Sequence, residues 1–248
     1  MRILSLAVCL CFTTLGLGLP DDGFKSIFNG KNLDGWDGNP KLWSVEDGAI
    51  TGKTGNEPHN KLKHNTFLVW KGGEVSNFNF RCKFKIDGGN SGIQYRSKEF
   101  PKGEFGPIVG GYQADFEAGK TYSGILYDER GVAGGRGVMC QRGEKVRWTS
   151  DNKKEITGKT KLTSEQIQES IKKDGWNTYE IIADGVKLIH KVNGNVSAEI
   201  LDESPKALTK GILALQIHVG PVMTVQFKDL ELKTLGAQAT PPEKKKVN

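Results

Sequence analysis

Residues 77–87 read "NFNFRCKFKID". Phe78, Phe80, Cys82, Phe84 and Ile86 fall on one side of an extended chain, and Asn79, Arg81, Lys83 and Lys85 fall on the other. Side chains of a strand alternate between two faces, so the period predicts a β-strand with one buried and one wet face. The same period recurs in both directions along the chain. "WSVEDGAITG" (43–52) sets Trp43 and Val45, then Ala49 and Ile50, around an Asp47–Gly48 pair, the composition of a tight hairpin turn. "WNTYEIIADGVKLIHKVNGNVSAEILD" (176–202) carries two such turn signals, Asp184–Gly185 and Asn193–Gly194, and predicts three successive strands. "GILALQIHVG" and "VMTVQFKDLELKTL" alternate again near the end of the chain. Only "LTSEQIQESIKK" (162–173) has helix chemistry, with Thr163 and Ser164 as caps and Glu165 and Gln166 behind them. Many short strands, regular turns and one short helix point to a β-sandwich or barrel.

The chain has 248 residues, a hydrophobic fraction of 36% and aromatic residues at 8%, enough for a single large core. Its formal charge is +6, but half of that excess comes from Arg2 and from Lys244, Lys245 and Lys246 less Glu243. The remaining cations are scattered among acids, and no basic stripe of the kind nucleic acid requires is present. The first residues, "MRILSLAVCLCFTTLGLGLP", combine Arg2, an apolar run from Ile3 and small residues at Gly16 and Gly18. That order is the layout of a secretory signal peptide over residues 1–19. It predicts a secreted or periplasmic protein with no membrane association once the peptide is removed. Val8 and Leu10 precede Cys9 and Cys11, so the small residue that a lipid-modified cysteine follows is missing. The body keeps Cys82 and Cys140, whose apolar neighbours suit buried thiols as well as a disulfide. "GAQATPPEKKKVN" (236–248) has no apolar pattern and reads as a disordered tail. Residues 22–235 form the expected single domain.

Three strands carry planar hydrogen-bonding side chains where a wet face would ordinarily show Lys, Thr or Ser. "NSGIQYRS" (90–97) sets Gln94 and Arg96 opposite Ile93 and Tyr95. "GYQADFE" (111–117) sets Gln113, Asp115 and Glu117 opposite Tyr112, Ala114 and Phe116. "LALQIHV" (213–219) sets Gln216 and His218 opposite Leu215 and Ile217. If the three neighbour one another, that face becomes a polar floor suited to a sugar, whose hydroxyls both donate and accept. "SGILYDERG" (123–131) adds Tyr127, and at most one of Asp128 and Glu129 can share its site, because adjacent strand residues face opposite ways. "GVAGGRGV" (131–138) lacks the strand-then-helix context of a phosphate loop. His59 and His64 sit in "NEPHNKLKHN" (56–65), a Pro- and Asn-containing loop rather than a metal-binding helix, and no Gly-x-Ser-x-Gly elbow or HExxH motif occurs.

Taken together, "FNGKNLDGW", "WSVEDGAITG", "NSGIQYRS", "GYQADF", "GILYDERG", the 176–194 segment and "GILALQIHVGPVMTVQFKDLELKTL" resemble the 3-keto-disaccharide hydrolase domain family, in the right order from Phe24 to Leu235. The resemblance implies an all-β, concanavalin A-like jelly-roll β-sandwich, exported by a bacterium. It also implies a carbohydrate substrate already oxidised to a ketone at C3 by a separate nicotinamide-dependent sugar 3-oxidoreductase. A C3 ketone acidifies the C2 proton. A base can then form an enolate, the enolate can expel the group at C1, and water can add to the enone. On the residues alone, Asp115 or His218 is the candidate base and Arg96 the group facing the enolate, with Gln94, Gln113, Gln216 and Tyr127 binding substrate. A divalent metal held by Asp115, His218 and neighbouring amides is compatible with this donor set, although nothing in the sequence requires a cofactor. Two rivals stay open: a non-catalytic carbohydrate-binding jelly roll, and an ordinary glycosidase using Asp115 and Glu117, which one strand places about 6.5–7 Å apart at their Cα atoms.

Overall fold

The computed structural model describes residues 22–236. In chain order the first strands are β1 (Lys25–Ser26), β2 (Trp36–Asp37), β3 (Trp43–Glu46), β4 (Ala49–Lys53), β5 (Thr66–Trp70) and β6 (Phe78–Asp87). Then come β7 (Asn90–Gly103), β8 (Gly106–Glu117), β9 (Leu126–Glu129), β10 (Val138–Cys140), β11 (Glu144–Trp148) and β12 (Lys154–Lys159). The helix α1 (Ser164–Glu169) precedes β13 (Asn177–Asp184), β14 (Lys187–Val192), β15 (Asn195–Asp202), β16 (Ile212–Ile217) and β17 (Thr224–Thr234).

These strands make two sheets. One runs β12-β11-β15-β14-β13-β6-β17-β4-β3, with β1 added against β17; the other runs β10-β9-β8-β7-β16-β5-β2. Neighbours in each sheet come from distant parts of the chain, β7 beside β16 and β6 beside β17, so the chain crosses between sheets in the manner of a jelly roll. The expected all-β jelly-roll sandwich with one short helix is therefore the observed fold. The "NFNFRCKFKID" pattern is the reason the layers meet. Phe78, Phe80, Cys82, Phe84 and Ile86 of β6 are all buried. Phe84 packs on Phe116 of β8 with ring centroids 4.1 Å apart, and Phe78 meets Tyr95 of β7 edge-on at 5.9 Å. Such contacts join the two sheets through one core.

The helix begins where its sequence predicts. Thr163 accepts from the Gln166 backbone N–H and Gln166 answers with its side chain, a complete capping box. Asp47 and Gly48 both adopt positive φ, at 50° and 73°, which gives the β3–β4 hairpin the backbone twist its strands need. Cys82 and Cys140 are free, buried thiols, and burial pushes the Cys140 thiol up to about 12. His190 is buried between Tyr95 and Tyr179 and bonded to both hydroxyls, and burial lowers it to about 3. No helix among the described residues is long and apolar enough to cross a membrane. The predicted signal peptide and all but the first residue of the predicted tail lie outside the described residues.

Candidate functional site

The site lies on the face of the β10–β2 sheet that points away from the core, and the length of the β7–β8 hairpin builds it. Hydrogen-bond register along this hairpin slips between Tyr95 and Lys98, and Arg96 at the slip has a φ of 48°. Beyond the slip the hairpin becomes an arm that folds over the outer face of β16 and β5. Val109 of the arm packs on Phe67, Val69 and Ala214, and Thr66 donates its hydroxyl to the Phe105 carbonyl at 2.8 Å. Beside the arm, whose Phe100 ring lies under Arg130, is a cleft of about 500 Å³ lined by Asn65, Gln113, Asp115, Glu129, Arg130 and His218, with Asn90, Glu117, Tyr122, Tyr127 and Val138 around them.

Gln113 lies at the centre of the floor. Its Nε2 donates to Asp115 Oδ1 at 2.9 Å and to Gln216 Oε1 at 3.3 Å, and its Oε1 accepts from Gln94. Gln94 Oε1 in turn accepts from the Ser97 hydroxyl at 2.7 Å, while Gln216 Nε2 reaches Glu129 Oε2 at 3.5 Å. Every amide in this chain is oriented by its neighbours, and the chain ends on two carboxyl groups. Gly92 makes room for it. A Cβ at that position would stand 2.5 Å from Gln113 Cγ and 2.6 Å from its Cδ, so the Gln113 side chain occupies the space that any other residue would fill.

The three strands do share the polar face expected of them, but only some of their residues reach the cleft. Asp115, His218, Gln113 and Tyr127 line the cleft. Gln94 and Gln216, expected to touch substrate, have no exposed surface and do not line it. They flank Gln113 on the same face, Gln94 donating to it and Gln216 accepting from it while reaching Glu129, and the arm covers them. Arg96, expected to face the enolate, does not enter the cleft. The slip at its own position turns the side chain away from Gln94, and its guanidinium donates to the carbonyls of Ser76, Gly185 and Leu208 at 2.8, 2.8 and 3.0 Å. It ties loop backbone together outside the cleft. Simple alternation could not foresee the slip, because no turn residue marks it.

The cation that does reach the cleft is Arg130. It follows β9, lies over the Phe100 ring of the arm at 5.1 Å, and also has a positive φ, 57°. Of the adjacent acids in "YDER", Glu129 enters the site. Asp128 instead accepts from the backbone N–H groups of Ala133 and Arg136 at 2.7 and 2.9 Å and shapes the next loop. The spacing Tyr127-x-Glu129 was the available signal for Glu129. Asn65 and Asn90 carry no pattern that would single them out.

Burial dominates the electrostatics. Asp115 is 5% exposed, and burial pushes its carboxyl up to about 8 against the pull of hydrogen bonds from Gln113 and Asn90, with Glu129 and Glu117 adding to the rise. Glu129 is raised for the same first reason, opposed by Asn65, whose Nδ2 donates to it at 3.2 Å, and by the nearby His218. Tyr127 is raised by burial and by the surrounding acids. His218 Nδ1 bonds the Val219 carbonyl. A carbonyl only accepts, so Nδ1 carries the hydrogen, and Nε2 of the neutral ring is left with a free lone pair. The cleft thus joins a carboxylic acid raised by burial, an imidazole whose Nε2 accepts when the ring is neutral, and a guanidinium. Among the described residues, no group of three or more His, Cys, Asp or Glu side chains is arranged to hold a metal ion.

In solved structures, a candidate glycosyl hydrolase from Parabacteroides distasonis superposes with a TM-score of 0.54 at 21% identity, over 86% of this chain and 94% of that one. A carbohydrate-binding module from Bacillus subtilis does so at 0.50 and 12%, over 81% and 96%. At these identities the likeness is one of fold, and fold alone does not fix function. In sequence, a 3-keto-disaccharide hydrolase of Bacteroides thetaiotaomicron is 34% identical over 94 residues, which cover 35% of this chain and 31% of that protein. The chain thus matches about a third of that relative's length. The model of the 3-keto-alpha-glucoside-1,2-lyase-like domain matches residues 23–233, from β1 almost to the end of β17. A match of that extent embraces both sheets and every residue of the cleft, and the chain belongs to this family.

Proposed function

We propose that the protein is a sugar-active enzyme that cleaves 3-keto-glycosides, 3-keto-disaccharides among them, by elimination followed by hydration. The observation that carries this reading is the meeting of Asp115, His218 and Arg130 in one cleft. Perturbed carboxyl groups cluster at working sites, and a binding module has no need of a buried acid near neutrality. Family membership supports the choice of a C3 ketone over an ordinary glycoside.

His218 Nε2 removes the C2 proton, and the electron pair forms an enolate whose oxygen lies at C3. Arg130 faces that oxygen and neutralises its developing charge. The enolate re-forms the ketone while C1–C2 becomes a double bond and the C1–O bond breaks, its pair going to the leaving oxygen. Asp115, protonated at neutral pH, gives that oxygen its proton. Water then adds at C1 and a proton returns to C2, so the net change is hydrolysis. Asp115 thereby moves from the base expected of it to the acid, since a carboxyl held near 8 is a poor acceptor at pH 7 and a good donor.

The decisive experiment incubates the mature protein with a 3-keto-glucoside and with its unoxidised parent, and measures free aglycone. Cleavage of the ketone alone is expected; equal cleavage of both would refute elimination. The sugar is supplied in this reading by a sugar 3-oxidoreductase acting outside the cytoplasm, and the "MRILSLAVCLCFTTLGLGLP" leader supports export. N-terminal sequencing of protein from the native host tests export, with cleavage expected near Gly18 or Leu19.

A further inference from the structure

The loop 118–125 connects β8 to β9 and brings Tyr122 to the wall of the cleft. It presents Tyr122 with 44% of its surface exposed, one of few large apolar side chains so displayed. An exposed aromatic ring on a surface loop ordinarily moves with the loop. This loop is held from both ends. The Glu117 carboxylate accepts from the backbone N–H groups of Thr121 and Tyr122, the latter at 3.0 Å. The buried Arg142 donates to the carbonyls of Lys120 and Ser123 at 2.9 and 2.8 Å, and its Nε reaches the Ser164 carbonyl at the start of α1 at 3.0 Å. The Ser123 hydroxyl accepts from the Glu117 N–H at 3.1 Å, and Gly124 donates to the Asp115 carbonyl at 2.8 Å. Charged groups on both sides thus fix the backbone that carries Tyr122, and tie it to the strand that carries Asp115.

Position along the strand decides what the ring meets. Glu129 pairs with Gly111 near the start of the cleft's stretch of β8, whereas Tyr122 is anchored at Glu117, beyond Asp115. Arg130, next after Glu129, is therefore on the opposite side of Asp115 from Tyr122. We propose that Tyr122 is a fixed stacking platform for the ring on the leaving-group side, so that the site prefers glycosides whose aglycone is itself a sugar or another flat-faced ring. This rests on the cleft being the sugar site and Asp115 the donor to the leaving oxygen. Pre-ordering of the loop spares the binding event the cost of ordering it, and the apolar face of a pyranose covers the ring.

The test uses the mature chain and the variants Tyr122→Ala, Tyr122→Phe and Tyr122→Trp. Two substrates are compared: methyl 3-keto-glucoside, which has no leaving-group ring, and the 3-keto form of a glucosyl-glucose disaccharide. Tyr122→Ala is expected to raise KM for the disaccharide by about 3- to 10-fold, the scale of one aromatic contact, with kcat little changed. The methyl glycoside should show no such change, and Phe and Trp should restore the wild-type KM. Equal effects on both substrates, or none on the disaccharide, would overturn the platform. Titration with the unoxidised disaccharide separates this failure from failure of the elimination reading. If wild type cleaves no ketone, weaker binding of that sugar by Tyr122→Ala still upholds the platform; unchanged binding, or none by wild type, overturns it.

Discussion

Gln113 Nε2 donates to Asp115 Oδ1 across 2.9 Å, two residues along one strand, and the other N–H of the same amide is committed to Gln216. Oδ1 is therefore fixed as an acceptor, which leaves Oδ2 as the oxygen that carries the proton of the neutral acid. A carboxyl group held in that state by burial has consequences for rate and for stability, and the two can be measured apart.

For rate, Asp115→Asn keeps the shape and removes the transferable proton. Turnover of a methyl 3-keto-glucoside should fall by about 10²- to 10⁴-fold. With a 4-nitrophenyl 3-keto-glucoside, whose leaving group needs no proton, most of the loss should disappear. Wild-type activity on the methyl substrate should decline as pH rises through about 8, the range in which Asp115 loses its proton. An equal defect with both leaving groups would remove Asp115 from the acid role.

For stability, the folded carboxyl titrates near 8 and the unfolded one near its ordinary 3.8. Between those values the folded state binds a proton that the unfolded chain has lost, so wild-type stability drops as pH rises from about 4 to about 8. Its contribution is fully present below the unfolded value. Asp115→Asn has no such charge to bury. Its melting temperature should exceed that of wild type by a margin that widens from pH 4 to pH 8 and then stays level. A constant margin in thermal scans across that range would refute the raised titration.

His218 is assigned the C2 proton, so His218→Gln should abolish exchange of the C2 hydrogen for deuterium in heavy water as well as cleavage. The loss should be as large for the 4-nitrophenyl substrate as for the methyl one, unlike that of Asp115→Asn. Exchange retained at the wild-type rate would place the base elsewhere.

Gly92 offers a test of the floor itself. In Gly92→Ala the new methyl would meet Gln113 at 2.5 Å, and overpacking of this kind costs about 1–3 kcal/mol. Because Gln113 must move, its hold on Asp115 should weaken, and the alkaline limb of the pH–rate profile should shift together with the fall in melting temperature. A stability loss with an unmoved pH profile would show that Gln113 does not tune the acid.

The fold was legible because β6 states it outright: five apolar side chains at a period of two can be buried only against a second layer, and Phe84 meets Phe116 there. The polar face was legible for the same reason, since Gln113 and Asp115 lie between Tyr112, Ala114 and Phe116 on the same strand. Alternation failed at Arg96, where the register slip and a φ of 48° rotate one residue out of the pattern. It also could not rank depth. Gln94 and Gln216 have the right parity, yet the arm that covers them comes from residues 98–109 and makes its contacts through tertiary packing. Arg130 reached the cleft through a turn conformation and the Phe100 ring, neither of which has a periodic trace.

The slip at Arg96 divides the β7–β8 hairpin into a root, which carries Gln94, Gln113 and Asp115, and an arm, which carries Phe100 and Val109. Arg96 stitches the division to the loops at Ser76, Gly185 and Leu208 rather than to the arm. The two halves are therefore separate in register, although Val109 and Phe105 of the arm still hold it to β5 and β16. Length changes at the tip, around Lys102 and Gly103, would leave the pairing of Gln94 with Gln113 and of Gly92 with Asp115 untouched, so the hairpin can vary at its end without dismantling its acid.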